Sequence, residues 1–292
     1  MKNKIFYRTV AINGIDIFYR EAGSKDQPTL LLLHGFPSSS HMFRDLIREL
    51  SDSFHLIAPD YPGFGQSHAP DVKEFTYTFD NLSIVIERFI DELQLNNIIL
   101  YMQDYGGPVG MRIAVRRPGL FRALIIQNAN AYAEGLGSLL QPLTQYAQQP
   151  DEENEKAVRF FLSLDATKWQ YLHGAGDPAT VNPDSYITDQ YYLDRPGNDT
   201  IQLALFRDYQ HNYLKYPEWQ EYLRTSLPET LVLWGKNDAM FIAAGAEAYK
   251  KDLPAAEIVQ IDGGHCLLEE HHQYVAELIH RFIYDRKTSN TL

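Results

Sequence analysis

The chain has 292 residues, 45% apolar and 22% charged, with a formal net charge of −12, a composition ordinary for a globular protein with room for one large α/β domain or a domain carrying an insertion. The acidic balance argues against nucleic acid or an anionic membrane as partner, because the long-range field repels both. A single cysteine, Cys266, excludes an internal disulfide and fits a reducing compartment. The basic start, Met1-Lys2-Asn3-Lys4-Ile5, lacks the apolar stretch of a signal peptide, and no apolar run approaches transmembrane length, so the chain reads as cytoplasmic. The glycosylation-type triplets Asn81-Leu82-Ser83 and Asn198-Asp199-Thr200 then carry no meaning.

In chain order, Tyr7 to Ile12 and Ile15 to Arg20 predict a hairpin, with Asn13-Gly14 supplying the positive φ angles of a type I′ turn. Thr29 to Leu33 is a continuous apolar run, as expected of a strand buried on both faces of a parallel sheet. A helix is expected over Ser39 to Leu50, a strand over Phe54 to Ala58, and a longer helix over Phe79 to Leu93 with Leu82, Val85, Ile86, Phe89, Ile90 and Leu93 on one face. The strand ending at Leu100 runs into Gln103-Asp104-Tyr105-Gly106-Gly107 and a helix, and a further strand follows at Ala123 to Gln127. The alternation resumes with a strand at Thr230 to Trp234, a helix at Ala243 to Lys251, a strand at Glu257 to Ile261 and a closing helix from His271 to Tyr284. This pattern predicts a mostly parallel, doubly wound sheet. Residues 132–226 break it. They hold no buried-strand run, pieces such as Glu155 to Leu164 and Thr200 to Tyr213 read as helices, and the excursion is too long for a loop. It is expected to form a helical cap over the carboxyl ends of the strands, giving a core of residues 1–131 and 227–292 with a cap of 132–226.

The chemistry is concentrated at strand ends. Strand, reactive side chain, two glycines, helix is the layout of a nucleophile elbow, here with Asp104 where most elbows carry serine. A carboxylate is ionised at neutral pH and needs no activation. It is a poor nucleophile toward esters, since the mixed anhydride collapses back, but a competent one at saturated carbon, which points to an epoxide or alkyl halide. His34-Gly35-Phe36-Pro37 follows another strand, so the amides of Phe36 and Tyr105 are expected to form an oxyanion hole. Asp60-Tyr61-Pro62-Gly63-Phe64-Gly65-Gln66-Ser67 superficially suggests a dinucleotide loop, but it lacks the third glycine and does not open the first βαβ unit, so it reads as a tight turn. No cofactor and no metal are expected. Trp234-Gly235-Lys236-Asn237-Asp238 places a carboxylate beyond a buried strand, able to orient a histidine, and Gly263-Gly264-His265 supplies that histidine. Asp262 beside it is read as a cap of the histidine turn, His271 and His272 as exposed, and Cys266 as unreactive because no separate base lies near it in sequence.

On these motifs the chain resembles the α/β-hydrolase fold superfamily, and within it the Asp-nucleophile branch of epoxide hydrolases and haloalkane dehalogenases. The resemblance covers nearly the whole chain. It implies a mechanism in which Asp104 forms an alkyl ester that is hydrolysed by water activated by His265, itself oriented by Asp238, on a small apolar organic substrate. Dehalogenases usually have Asn after His-Gly and Trp after the nucleophile; this chain has Phe36 and Tyr105, so the halide clamp is degraded unless Trp169 lends an indole N–H. Epoxide hydrolases match better at His-Gly-aromatic-Pro and use cap tyrosines. Asp208-Tyr209-Gln210-His211-Asn212 resembles one tyrosine site, which makes Tyr209 the candidate. The other falls within Gln141 to Ala147, on Tyr146, or on Leu143 if Pro150 sets the register. Met102 is bulkier than the small residue usual at that elbow position. Epoxide opening is therefore the leading reading, with dehalogenation second. An ester or lactone hydrolase using water directly, or a non-catalytic small-molecule receptor, are the further alternatives. A monomer and a homodimer are equally compatible with the sequence.

Overall fold

A computed structural model describes residues 4–285; Met1 to Asn3, part of the basic start, lie outside the described residues. Eight strands form one sheet: β1 (Ile5–Ile12), β2 (Ile15–Ala22), β3 (Thr29–Leu33), β4 (His55–Pro59), β5 (Ile98–Gln103), β6 (Phe121–Gln127), β7 (Glu229–Gly235) and β8 (Glu257–Ile261). Their spatial order is β1-β2-β4-β3-β5-β6-β7-β8. The β1–β2 and β2–β4 pairs are antiparallel and every pair from β4 to β8 is parallel. The hairpin turn has Asn13 at φ 53° and Gly14 at φ 82°, the positive values its sequence calls for.

Alternation along the central strands splits the apolar core in two. Leu31, Leu33, Leu100, Met102, Leu124, Ile126 and Val232 face one side, with α2 (Phe79–Glu92) and α3 (Gly106–Arg116). Leu30, Leu32, Ile99, Tyr101, Ile125, Leu231 and Leu233 face the other, with α1 (Arg44–Leu50) and the last helix, Leu268–Tyr284. The winding of the sheet reverses at β3: the next strand, β4, is added on one side of it and β5 on the other. The loops leaving β3 and β5 consequently open side by side, with Leu33 paired to Met102. That crevice is where open α/β sheets bind ligands.

Between β6 and β7 the described chain is helical: α4 (Gln141–Gln148), α5 (Glu152–Arg159), α6 (Leu164–Leu172), α7 (Pro183–Leu193), α8 (Asn198–Asp208) and α9 (Gln210–Ser226), with short 3-10 turns. Two helices expected to be continuous are broken. The piece predicted over Glu155 to Leu164 ends at Arg159, passes through a 3-10 turn, and restarts where the Ser163 hydroxyl caps the amide of Ala166. The piece over Thr200 to Tyr213 breaks at Tyr209, between α8 and α9. Likewise Ser39 to Leu50 begins as a 3-10 turn over Ser40–Phe43 before α1. The insertion is tied to the sheet by Arg112 of α3, which pairs with Asp80, donates to Asn212 Oδ1 at 2.8 Å and stacks its guanidinium over Phe79 and Trp219. No helix among the described residues is long and apolar enough to cross a membrane.

Candidate active site

The side chain of Asp104 stands at the end of β5 on a backbone with φ 48°. A non-glycine residue in the left-handed region is uncommon, though Asp tolerates it better than most, and this backbone projects the side chain sharply out of a strand-to-helix turn. The turn fits only because its neighbours are small. A Cβ on Gly35 would lie 2.3 Å from both Asp104 Cβ and Gln103 Oε1, so that loop can pass the elbow only as glycine. Met102 is accommodated in the same way, since a Cβ on Gly110 of α3 would meet its sulfur at 2.5 Å. The bulk at that elbow position is matched by a missing side chain in the helix above it.

The Phe36 amide donates to Asp104 Oδ1 at 2.8 Å, and the neighbouring Tyr105 amide also favours the charged carboxylate. Burial pushes the Asp104 carboxyl up from the usual range, opposed by the positive charge available on His265 and by these two amides. Oδ2 is directed to the other side, 3.9 Å from His265 Nε2. That is beyond hydrogen-bond length, so the imidazole does not contact the carboxylate as a base contacts a serine.

His265 Nδ1 lies 2.7 Å from Asp238 Oδ2. The acceptor at Nδ1 makes the neutral ring an Nδ1–H tautomer, leaving Nε2 to accept from the Gln103 amide 2.9 Å away. Burial drags the imidazole down, but the charge and hydrogen bond of Asp238, joined by the charge of Asp104, win, so His265 titrates above its ordinary value. Asp238 is itself fully engaged. Its Oδ1 accepts the amides of Met240 at 2.8 Å and Phe241 at 3.0 Å, and its Oδ2 accepts Asn128 Nδ2 at 2.8 Å as well as the imidazole. Asn128, at φ 41° beyond β6, uses its Oδ1 to receive the Gly235 amide at 2.9 Å. One side chain thus spaces the ends of β6 and β7 and fixes the acid that follows β7. Sequence reading missed Asn128 and the role of Gln103, although a polar residue at the carboxyl end of a buried strand, the signal that singled out Asp238, also marks both.

Asp262 takes no part. It is exposed and pairs with Asn237 Nδ2 at 3.0 Å and Lys236 Nζ at 3.2 Å. His34 belongs to the turn: Nδ1 faces the Gly35 carbonyl at 3.0 Å and Nε2 accepts the Tyr61 amide at 3.2 Å, while burial drops its pKa to about 4 and keeps it neutral. The Asp60 to Ser67 run is a stapled turn, with Asp60 accepting the amides of Ser40 and Gln66, each at 2.7 Å. Burial raises the Cys266 thiol well above its usual range, which keeps it protonated and unreactive. His271 and His272 are half-buried rather than exposed, His271 because Nε2 reaches the Asp262 carbonyl at 2.9 Å.

Above Asp104 lies a cavity of about 30 Å³, lined on its polar side by Asp104, Tyr105, Gln170 and Tyr209 and elsewhere by apolar residues including Phe36, Leu143 and Phe206. The structure brings Tyr209 to this cavity. Its neighbours in the chain are the reason: Asp208 Oδ2 accepts the Phe79 amide at the start of α2, 2.8 Å away, and Asn212 accepts from Arg112 of α3, so the helix break between them is pinned to the two helices that pack on the sheet. Burial raises the Tyr209 phenol well above its usual value, so it is a proton-bearing donor at all ordinary pH. Tyr146 does not reach the cavity. It lines a separate surface depression with Glu155, Arg159 and Arg207, and Leu143, one turn earlier on α4, faces the site instead. Trp169 does not reach it either. It is 37% exposed and stacks on His173 with ring centroids 4.3 Å apart. On α6 the inward face carries Ala166, Thr167, Gln170 and Tyr171, and at 100° per residue Trp169 falls outside it.

A carboxylate held this way, with the Phe36 amide on Oδ1, Oδ2 outside hydrogen-bond reach of the imidazole and that imidazole oriented beside it, is equipped for alkyl transfer followed by attack of water. Residues 28–272 match the family model of the alpha/beta hydrolase fold. A protein of Saccharomyces cerevisiae described as an uncharacterized hydrolase is 42% identical over 278 residues, 94% of this chain and 95% of that protein. A haloalkane dehalogenase of Psychrobacter cryohalolentis is 28% identical over 276 residues, 92% of this chain and 88% of its own. Among solved structures, the epoxide hydrolase CorEH superposes with a TM-score of 0.80 at 18% identity, covering 97% of this chain and 99% of that one, a likeness of fold. With the sheet, the elbow and the His265–Asp238 pair in place, these matches make the chain a hydrolase that belongs to the alpha/beta hydrolase fold family.

Proposed function

We propose that this hydrolase opens epoxides to diols through an ester on Asp104, with residues 132–226 acting as a cap over the reacting centre. The observation that carries the reading is the division of labour between the two oxygens of Asp104. Oδ1 is held by the Phe36 amide, whereas Oδ2 lies 3.9 Å from the imidazole and is not hydrogen-bonded to it. A serine would need that bond; a carboxylate does not. In the first step Oδ2 attacks a ring carbon, the C–O bond opens, and its electron pair stays on the oxygen, which takes a proton delivered through Tyr209. In the second step water reaches His265 Nε2, displacing the Gln103 amide, and gives up a proton to it. The resulting hydroxide attacks the ester carbonyl carbon of Asp104, and the amides of Phe36 and Tyr105 hold the oxyanion. Each such donor lowers the barrier by about 3 kcal/mol. The intermediate collapses by breaking the Cγ–Oδ2 bond: the diol leaves with Oδ2 and the proton from His265, the oxygen of water stays on Asp104, and the carboxyl proton returns to Tyr209 through solvent.

Dehalogenation is the second reading, favoured by the full-length likeness to the Psychrobacter enzyme. It shares both steps and differs only in the leaving atom. Against it stand Phe36 and Tyr105 where that activity uses side-chain N–H donors, and the outward position of Trp169. The test is turnover of a panel of epoxides and bromoalkanes, scoring diol and halide, with Asp104→Ala as control. Diol without halide, abolished in the control, is the expected result. Halide release at comparable rates would replace the epoxide reading with the second one, and activity surviving in Asp104→Ala would remove the ester mechanism from both.

A further inference from the structure

Two residues lining the cavity above Asp104 carry a buried polar atom with no hydrogen-bond partner among the described residues, Tyr105 Oη and Gln170 Nε2, and only Gln170 offers an N–H. Gln170 is 3% exposed, yet its Nε2 has no hydrogen-bond partner among the described residues. Its neighbours on the same face of α6 are paired: Thr167 Oγ1 donates to Gln190 Oε1 at 2.8 Å and Tyr171 Oη to Asp189 Oδ2 at 2.5 Å. A buried amide N–H without an acceptor is destabilising and is rare in folded proteins. Here it lines the same small space as Asp104, Tyr209 and Phe206. The cavity, about 30 Å³, holds little more than a few atoms. Whatever group leaves the carbon attacked by Asp104 is therefore confined within reach of the insertion, on the side from which Gln170 enters.

We propose that Gln170 is a catalytic hydrogen-bond donor to the leaving atom. The proposal rests on the Asp104 ester reading. As Oδ2 forms its bond to carbon, the carbon–oxygen bond of an epoxide breaks and the charge collects on that oxygen. Gln170 Nε2–H binds this oxygen without losing its proton, while the proton that finishes the step comes through Tyr209. If the leaving atom is a halide, the C–X bond breaks, no proton is needed, and the same N–H solvates the anion. Gln170 then supplies from α6 the side-chain N–H that Phe36 and Tyr105 do not carry and that Trp169, turned outward, cannot bring.

The test isolates the first step. In the His265→Gln background the ester on Asp104 is expected to accumulate, and its rate of formation is followed by quenched intact mass. Adding Gln170→Met should slow ester formation by about 10²-fold and leave the melting temperature unchanged or higher, because an unpaired buried amide has been removed. Gln170→Asn, which keeps the amide one methylene short, should recover part of the rate. Ester formation within twofold of the His265→Gln parent overturns the role of Gln170 and leaves the ester mechanism standing. A lower melting temperature with an unchanged rate does so too, by showing a structural residue. No ester in the parent overturns the mechanism itself, and Gln170 with it. Gln170→Leu carries the same comparison if the methionine variant does not fold.

Discussion

Replacing His265 by Gln separates the two halves of the proposed reaction, and the geometry gives the size of each effect. His265 Nε2 is 3.9 Å from Asp104 Oδ2, so the substitution takes no hydrogen bond from the attacking oxygen, and the 2.8 Å bond from the Phe36 amide to Oδ1 remains. Alkylation should therefore stay within about tenfold of wild type, provided that the pH is high enough to ionise Asp104 without the nearby imidazolium, which helps hold its pKa down. Ester hydrolysis loses its general base, worth about 10²–10⁴ in rate. Starting from a turnover of about 10 s⁻¹, a loss of about 10³ leaves roughly 0.01 s⁻¹, so the ester survives for about 100 s. Quenching within a few seconds of mixing at pH 8.5, followed by intact mass and peptide mapping, should find near-stoichiometric adduct on the peptide containing Asp104. The mass increment also identifies the leaving chemistry: an epoxide adds its whole mass, a haloalkane its mass less that of hydrogen halide. Absence of adduct with a substrate the wild-type enzyme turns over, or adduct on another residue, would refute the reasoning.

Three other outcomes are expected. The acid limb of turnover should be set by His265, which must be neutral for hydrolysis and whose pKa Asp238 raises against the pull of burial, Asp104 being an uncharged ester at that stage; Asp238→Asn removes this support, so pH–rate profiles should show a lower plateau and the limb moved to lower pH. Tyr209→Phe should cut epoxide opening by about 10²–10³ while changing bromoalkane turnover, if any is present, by less than tenfold, measured as diol and halide under saturating substrate. Asn128→Ala leaves the Gly235 amide and one Asp238 lone pair without their buried partner, which should cost about 1–3 kcal/mol in chemical denaturation and lower kcat more than it raises KM, since the substrate is not touched.

Much of the site was legible because its signals are local. Thr29 to Leu33, Ile98 to Gln103 and Thr230 to Trp234 are buried strand runs with a glycine within three residues of their end, and in a parallel sheet each such end opens on the same edge. Asp104, Asp238 and His265 each lie within four residues of the end of a strand, so finding the strands marked these candidates and their chain order. The helical insertion offered no such anchor. On α6 the large apolar residues Leu164 and Trp169 are exposed, at 42% and 37%, while Gln170 is buried. Hydrophobicity therefore pointed to the wrong face, and one residue of phase, 100°, separates a surface indole from a cavity amide. Tyr146 and Leu143 differ by one turn of α4, with the leucine facing Asp104, and which of them does so depends on how α4 packs beside α8. By itself the sequence determined the sheet, the strand-end carboxylates and histidine and the chemistry they permit, since these follow from periodicity and turn geometry within a few residues. The tertiary structure alone decided which side chains face Asp104 from the insertion, because helix phase is set by packing between segments distant in the chain.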